Sequence, residues 1–132
     1  LYASLVLIVN NNNTWDVTVT HTVAASYLAI ASSSAAAAAE AAARRKEEKY
    51  AEISRTHLFV PIAIETLGPI NRVGIEFLST LGHRLSLISD DPRESYFLFQ
   101  RLSIDIQRFN AVCFSSSFGE AQAQFLDQRG HT

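Results

Sequence analysis

An alanine-rich segment constrains the fold of this 132-residue chain more than any other feature of its sequence. Residues 35–43 are alanine except for Glu40, and the residues that follow are mostly arginine, lysine and glutamate. These residue types favour an α-helix, and the serines before them are good N-cap residues. We therefore predict a helix from about Ser34 to Ser54. Because alanine side chains are small, the first half of this helix can lie close against a sheet.

Two segments with the character of β-strands precede the helix. Residues 3–9 and 15–21 are rich in β-branched residues, and the asparagines between them tolerate the left-handed backbone of a tight reversal. The pattern predicts a β-hairpin. Side chains of the second strand alternate between two faces, with Trp15 on one and Asp16 and Thr18 on the other. We expect the first face to pack and the second to carry polar groups.

A third strand and two helices are predicted after the alanine-rich helix. Residues 58–65 are almost continuously apolar, as buried strands are. Pro61 cannot donate a backbone hydrogen bond, which indicates a sheet edge or a local bulge. The helices are expected over about 71–85 and from the acidic, proline-containing start at 90–92 to about Phe114. A strand that follows a hairpin and a helix indicates a crossover onto a mixed sheet, and hence an α/β domain.

The composition is typical of one soluble domain. Apolar residues make up 48% of the chain and the net charge is −2, so any contact with nucleic acid would need a local basic patch. The chain contains no methionine. Because an open reading frame normally begins with one, we expect a processed product or a fragment of a longer protein. The apolar segments are too short or too interrupted to be signal peptides or membrane spans, so we expect no membrane partner.

Few side chains form a pattern that points to chemistry. The four histidines are far apart in the sequence, and Cys113 falls on an apolar helix stripe, where a thiol usually acts as a small hydrophobe. One group of cations is concentrated enough to face a nucleic-acid backbone. This basic patch consists of Arg44, Arg45, Lys46 and Lys49. The glutamates beside it favour the alternative of an ordinary solvated helix surface.

Several segments together resemble the region downstream of the reverse transcriptase in retrotransposon-type polyproteins of animals. They are the strand pattern 15–20, the alanine-rich helix with its basic end at 44–50, the strand 59–68 and the helix segment 99–111. The resemblance covers about residues 3–118. Such regions are similar to restriction-endonuclease-like domains, whose core runs helix, strand, strand, strand, helix, strand. The resemblance implies one such domain over residues 1–118, lacking its first helix and strand, followed by a weakly ordered tail over 119–132.

The resemblance also implies where a metal-dependent active site would lie. In these nucleases one acid at the start of the hairpin and a second on the next strand hold a divalent cation. A lysine two residues beyond the second acid helps to activate water. Asp16 matches the second acid and would be the metal ligand. Ser4 stands at the position of the first acid, and Thr18 stands at the position of the lysine.

Other residues are conceivable replacements for the two missing groups. Lys46 on the following helix is a candidate for a migrated lysine, and Glu40 or Glu65 is a candidate for the missing carboxylate. The alternative for Asp16 is a polar position on the hairpin that is satisfied by neighbouring threonines or by solvent.

The function implied by the resemblance is that of a retroelement-associated DNA endonuclease, located in the nucleus and using Mg²⁺ if active. Because Ser4 and Thr18 lack the charges of the groups they replace, we expect little or no catalytic activity. One alternative is a non-catalytic module that binds DNA through the basic patch, or assembles with upstream polyprotein domains or another partner through apolar helix faces. Another alternative is a decayed element without a selected function.

Overall fold

The computed structural model describes residues 3–9, 13–21 and 34–129. These residues form three strands, three α-helices and one short 3₁₀ helix. In chain order they are β1 (Ala3–Val9), β2 (Asn13–Thr20), α1 (Ala37–Lys49), the 3₁₀ turn Ile53–Arg55, β3 (Leu58–Glu65), α2 (Arg72–Ser89) and α3 (Glu94–Arg129). The predicted α/β succession of hairpin, crossover helix, third strand and two helices is confirmed.

The described sheet has the strand order β1-β2-β3. β1 and β2 are antiparallel, with Val6 opposite Asp16, whereas β2 and β3 are parallel, with Asp16 beside Pro61. Parallel neighbours need a crossover connection, and α1 lies within it. β3 is therefore the outer strand of this sheet, which confirms the edge position that Pro61 predicted.

The outer edge of β3 is covered by the turn that leads into α2. The side chain of Asn71 is fully buried there. Its Oδ1 accepts a hydrogen bond from Ala63 N at 2.8 Å, and its Nδ2 donates to Pro61 O at 3.0 Å. The backbone of Asn71 also donates to Ala63 O at 3.0 Å. These bonds satisfy backbone groups that an uncovered edge would present to other chains.

The sheet separates two packing layers. On one face, alanines of α1 pack on Ala63 of β3. On the other face, Ile62 and Ile64 of β3 form an apolar core with Leu78 of α2 and Ile106 of α3. Further side chains pack around this second core, including the rings of Trp15 and Phe77, whose centroids are 5.6 Å apart. No helix among the described residues combines the length and apolarity needed to cross a bilayer.

The boundaries of all three helices differ from the predictions. α2, predicted over about 71–85, spans Arg72–Ser89. α1 begins at Ala37 and ends at Lys49, so it is shorter than the predicted 34–54, and residues 53–55 form a separate 3₁₀ turn. α3 continues well beyond Phe114 to Arg129. The residues past Phe114 include alanine, glutamine, glutamate and leucine, which have high helix propensity and extend the last helix.

The turn that leads into α3 contains an ion pair between Asp91 and Arg93. The Asp91 carboxylate accepts hydrogen bonds from the Arg93 backbone N at 2.9 Å and from Arg93 Nη2 at 2.8 Å. The side-chain hydrogen bond to Arg93 is the main reason why the pKa of Asp91 is lowered to about 2. The acidic helix start predicted at 90–92 is therefore present, with Asp91 as the residue that accepts the backbone hydrogen bond.

Candidate functional site

The polar face of β2 is buried under α1. Its four side chains are each at most 3% exposed, and they are Thr14, Asp16, Thr18 and Thr20. The expectation that solvent could satisfy Asp16 is therefore wrong, because Asp16 is 0% exposed. The physical reason is the size of alanine: Ala39 of α1 and Ala63 of β3 are in contact and almost completely buried, so the helix backbone lies close to the sheet.

Asp16 forms an ion pair with Lys46 of α1. Lys46 Nζ lies 2.7 Å from Asp16 Oδ2, and the lysine side chain is only 17% exposed. The ammonium group also lies 5.8 Å from the ring centroid of Tyr50, and this ring contacts Phe59 of β3. A buried carboxylate is costly unless it is paired and hydrogen-bonded, so the lysine offsets part of the cost of placing Asp16 beneath the helix.

Lys46 reaches Asp16 because it continues the alanine face of α1. Ala39, Ala42, Ala43 and Lys46 are spaced i, i+3, i+4 and i+7, which places them on one side of a helix. The three alanines contact the sheet. Lys46 is therefore the first long side chain on the sheet-facing side, and it extends along the sheet to the nearest buried carboxylate.

Glu65, at the end of β3, caps the other end of α1. Its Oε1 accepts hydrogen bonds from the backbone N of Ala38 and of Ala39, both at 3.1 Å, and its side chain is buried. Ala36 precedes the helix with a φ of 64° and offers no side-chain cap. The predicted serine caps are therefore wrong. A carboxylate from a neighbouring strand bonds the first free N–H groups and faces the positive end of the helix dipole instead.

The Glu40 carboxylate accepts a hydrogen bond at the start of α2. Its Oε1 accepts a hydrogen bond from the backbone N of Arg72, the first residue of that helix. Glu65 is paired in register with Thr20, four residues along β2 from Asp16, which corresponds to about 13 Å along the strand. Neither glutamate is therefore placed to share a cation with Asp16.

The positions that the resemblance assigns to an active site are adjacent in the sheet, but only one of them, Asp16, is acidic. Ser4 pairs in backbone register with Thr18, two residues from Asp16. Thr18 is 2% exposed, and its hydroxyl has no hydrogen-bond partner among the described residues. Within that part of the chain, no group of three or more histidine, cysteine, aspartate or glutamate side chains could hold a metal ion. A single carboxylate that already binds an ammonium group does not fit Mg²⁺, which prefers several oxygen ligands.

The structure divides the basic patch. Lys46 faces the sheet, whereas Arg44, Arg45 and Lys49 are exposed at the end of α1. Lys49 Nζ lies 5.1 Å from the Tyr50 ring centroid. The exposed part of the basic patch therefore consists of Arg44, Arg45 and Lys49, of which Lys49 lies beside an aromatic ring.

Comparison of the chain with protein-family models, with curated proteins and with solved structures finds no match. The family resemblance of the sequence therefore stays a prediction, and the site has to be interpreted from its own geometry.

The buried ion pair predicts a large effect of Lys46→Met. This change keeps most of the apolar stem but removes the ammonium group, so the Asp16 carboxylate stays buried without its main partner. We expect the free energy of unfolding to fall by about 3–5 kcal/mol in urea denaturation. The matched control is Lys49→Met, at an exposed lysine three residues along the same helix, with an expected change below about 0.5 kcal/mol. Equal effects of the two substitutions would contradict the pairing.

The cap on α1 predicts a graded response at Glu65. Glu65→Ala removes the acceptor of two backbone N–H groups and should lower the free energy of unfolding by about 2 kcal/mol. Glu65→Gln keeps a side-chain oxygen and loses the charge that faces the helix dipole, so its cost should be smaller, about 0.5–1 kcal/mol. Glu76→Gln, on the exposed surface of α2, serves as the control. A glutamine variant as unstable as the alanine variant would argue against the cap.

Proposed function

We propose that this chain is the remnant of a DNA endonuclease domain of restriction-endonuclease-like architecture, carried by a retroelement polyprotein, with little or no catalytic activity. The observation that carries the proposal is the 2.7 Å pair between Asp16 on the hairpin and Lys46 on the crossover helix. Such a site needs an acid and a lysine close together. Asp16 stands at the position that the resemblance gives to the second acid, and Lys46 is the candidate for a lysine that has moved from the position of Thr18 to the following helix.

The succession of elements supports the same proposal. The hairpin, α1 and the parallel strand β3 follow the order strand, strand, helix, strand, which is the latter part of the expected core. Asp16 lies on the second strand of the hairpin, the strand that has neighbours on both sides in the described sheet. In this arrangement a crossover helix covers the face of the sheet that carries the acid.

The chemistry of the residues supports loss of catalysis. Metal-assisted phosphodiester hydrolysis needs carboxylates that hold a cation, which then polarises the phosphate and lowers the pKa of bound water. Here Asp16 is neutralised by Lys46, and the positions of the first acid and of the lysine are the uncharged Ser4 and Thr18. The same lysine that could orient water in an active relative serves in this chain to stabilise a buried acid.

The retroelement origin rests on the four sequence segments that resemble the region after a reverse transcriptase. Under this proposal the natural partners are the upstream domains of the polyprotein, and the protein works in the nucleus, where the element inserts. A reverse transcriptase in the same reading frame before Leu1 would support the ancestry directly.

The proposal predicts that the purified chain does not nick supercoiled plasmid DNA above the buffer background with Mg²⁺ or Mn²⁺. The reason is that one neutralised carboxylate cannot hold the cation. Metal-dependent nicking that persists in Asp105→Ala, an exposed control on α3, but disappears in Asp16→Ala would overturn the loss of activity.

The variant Ser4→Asp tests the site itself, because it places a second carboxylate two register positions from Asp16. Calorimetric titration should detect Mn²⁺ binding to Ser4→Asp that is absent from Ser4→Asn, and equal binding would contradict the assigned position.

A non-catalytic nucleic-acid-binding role is the second candidate, and it is favoured by the exposed cations Arg44, Arg45 and Lys49, the last of which lies beside the Tyr50 ring. Backbone contacts release counterions, so three such contacts predict a slope of about −3 in a plot of log affinity against log salt concentration. Combined Arg44→Ala and Lys49→Ala substitutions should weaken binding of a short DNA duplex in fluorescence anisotropy and reduce that slope. Arg84→Ala, on the exposed side of α2, is the control. Binding that does not change with salt would contradict this role.

A further inference from the structure

α3 is longer than the domain core requires. Its 36 residues extend for about 54 Å. One side of its first half faces the core, where Ile106 is buried and Leu98 and Leu102 pack around the apolar cluster. Away from this core-facing side, the helix carries a second set of exposed and mainly apolar residues. One of them, Phe114, also lines a cavity beside Thr66 and Leu67, which follow β3.

This second set follows a seven-residue repeat. Intervals of seven residues separate Phe97, Ile104, Ala111 and Phe118. The residues three positions after the first three of these lie on the same side of the helix. We call the whole set the α3 seam, and it consists of Phe97, Gln100, Ile104, Gln107, Ala111, Phe114 and Phe118. All seven residues are exposed. Phe125 continues the spacing in the sequence. A sustained repeat of this period is typical of helices that pack along their length against another helix.

The α3 seam differs from an ordinary solvated helix face. It contains no charged residue. Phe114 and Phe118 are 66% and 62% exposed, with their ring centroids 4.7 Å apart, and Phe97 and Ile104 are 42% and 47% exposed. These four side chains expose roughly 400 Å² of apolar surface. They form a line along the helix that is interrupted by Gln100, Gln107 and Ala111, with Phe114 and Phe118 in contact at one end. Exposed apolar surface in such an arrangement is often functional.

We propose that the α3 seam binds the same seam of a second copy of this chain, forming a two-stranded helical pair. A repeat of 3.5 residues per turn keeps the seam facing a partner helix that has the same repeat. A second copy of the chain has this repeat and is present wherever the protein is in solution. A stable interface buries about 800 Å² on each partner. The apolar side chains supply about half of this area, and the stems of Gln100, Gln107 and flanking residues such as Arg101 and Arg108 supply the remainder.

The polar positions of the seam set the strength of this association. Gln100 and Gln107 carry side-chain amides that can both donate and accept hydrogen bonds, so they can pair across the interface. Polar residues at such positions select one alignment at a cost in stability. The arginine nearest to the centre of the seam, Arg108, lies 3.7 Å from Asp105 of its own helix, which reduces repulsion between the two copies. The two glutamines in the seam make this pairing weaker than that of a fully apolar repeat of the same length.

Sedimentation velocity of the full chain, from about 5 to about 500 µM, tests the proposal. We expect a monomer–dimer equilibrium for the wild type. Phe114→Glu places a charge in the seam and should raise the dissociation constant at least about tenfold. The control is Val112→Glu on the same helix, because Val112 is 65% exposed like Phe114 but lies outside the repeat. Circular dichroism of both variants verifies that the helix content is retained.

Dimers that dissociate in Phe114→Glu and persist in Val112→Glu support pairing through the α3 seam. A wild type that is monomeric over the whole concentration range overturns the proposal, and so does equal dissociation of both variants. Assemblies larger than a dimer overturn the two-stranded arrangement. If Phe114→Glu loses helix content, Gln107→Glu provides the second test, because it adds a charge at a seam position that is already polar and exposed.

Discussion

The burial of one carboxylate beneath the alanine-rich helix sets the organisation of the rest of the structure. Asp16 is 0% exposed, and its closest cation, Lys46 Nζ, comes from the helix that covers it. The alanine contacts bring α1 close enough to exclude water, and exclusion of water makes the ion pair necessary. At the other end of the helix, the Glu65 carboxylate bonds two backbone N–H groups. α1 is therefore held near each end by a charged group, with small apolar side chains between them.

The same arrangement connects the fold to the proposed loss of function. Under the proposed function, an active ancestor would use a carboxylate at Asp16 and a nearby lysine on a cation and a water molecule. In this chain Asp16 and Lys46 bind each other, and the other two acids considered for the site, Glu40 and Glu65, accept hydrogen bonds at helix N-termini. Removal of either partner of the pair would leave an unpaired buried charge, which gives a structural reason for keeping both residues without catalysis.

Local patterns in the sequence predicted the elements well. The β-branched alternation before and after the asparagines, the alanine run and the apolar segment around Pro61 each depend on neighbours along the chain, and each forms the predicted structure. The burial of the two faces of β2 could not be predicted in the same way. Alternation shows that Asp16 and Thr18 share a face with each other, but it does not show that a helix of small alanines will cover that face.

The contacts that position the site depend on tertiary structure. Nothing near Glu65 in the sequence indicates that it caps a helix more than 20 residues earlier, and the serines before α1 were a reasonable local alternative. Lys46 is different, because its i, i+3, i+4, i+7 relation to Ala39, Ala42 and Ala43 was visible in the sequence. That relation was a signal that this lysine, unlike Arg44, Arg45 and Lys49, would face the sheet. The seven-residue repeat of α3 was visible too, in the spacing of Phe97, Ile104, Ala111, Phe118 and Phe125.

The organisation of the fold depends on the ammonium group of Lys46, which is mostly enclosed and bonded to Asp16. The chain contains two lysines, Lys46 and Lys49, so nuclear magnetic resonance of ¹⁵N-labelled ammonium groups can distinguish them without ambiguity. We expect one slowly exchanging ammonium signal, assigned to Lys46, with a hydrogen-bond coupling to the Asp16 carboxylate carbon, while the Lys49 signal exchanges rapidly with water. Rapid exchange of both ammonium groups, with no coupling to Asp16, would contradict the enclosed ion pair.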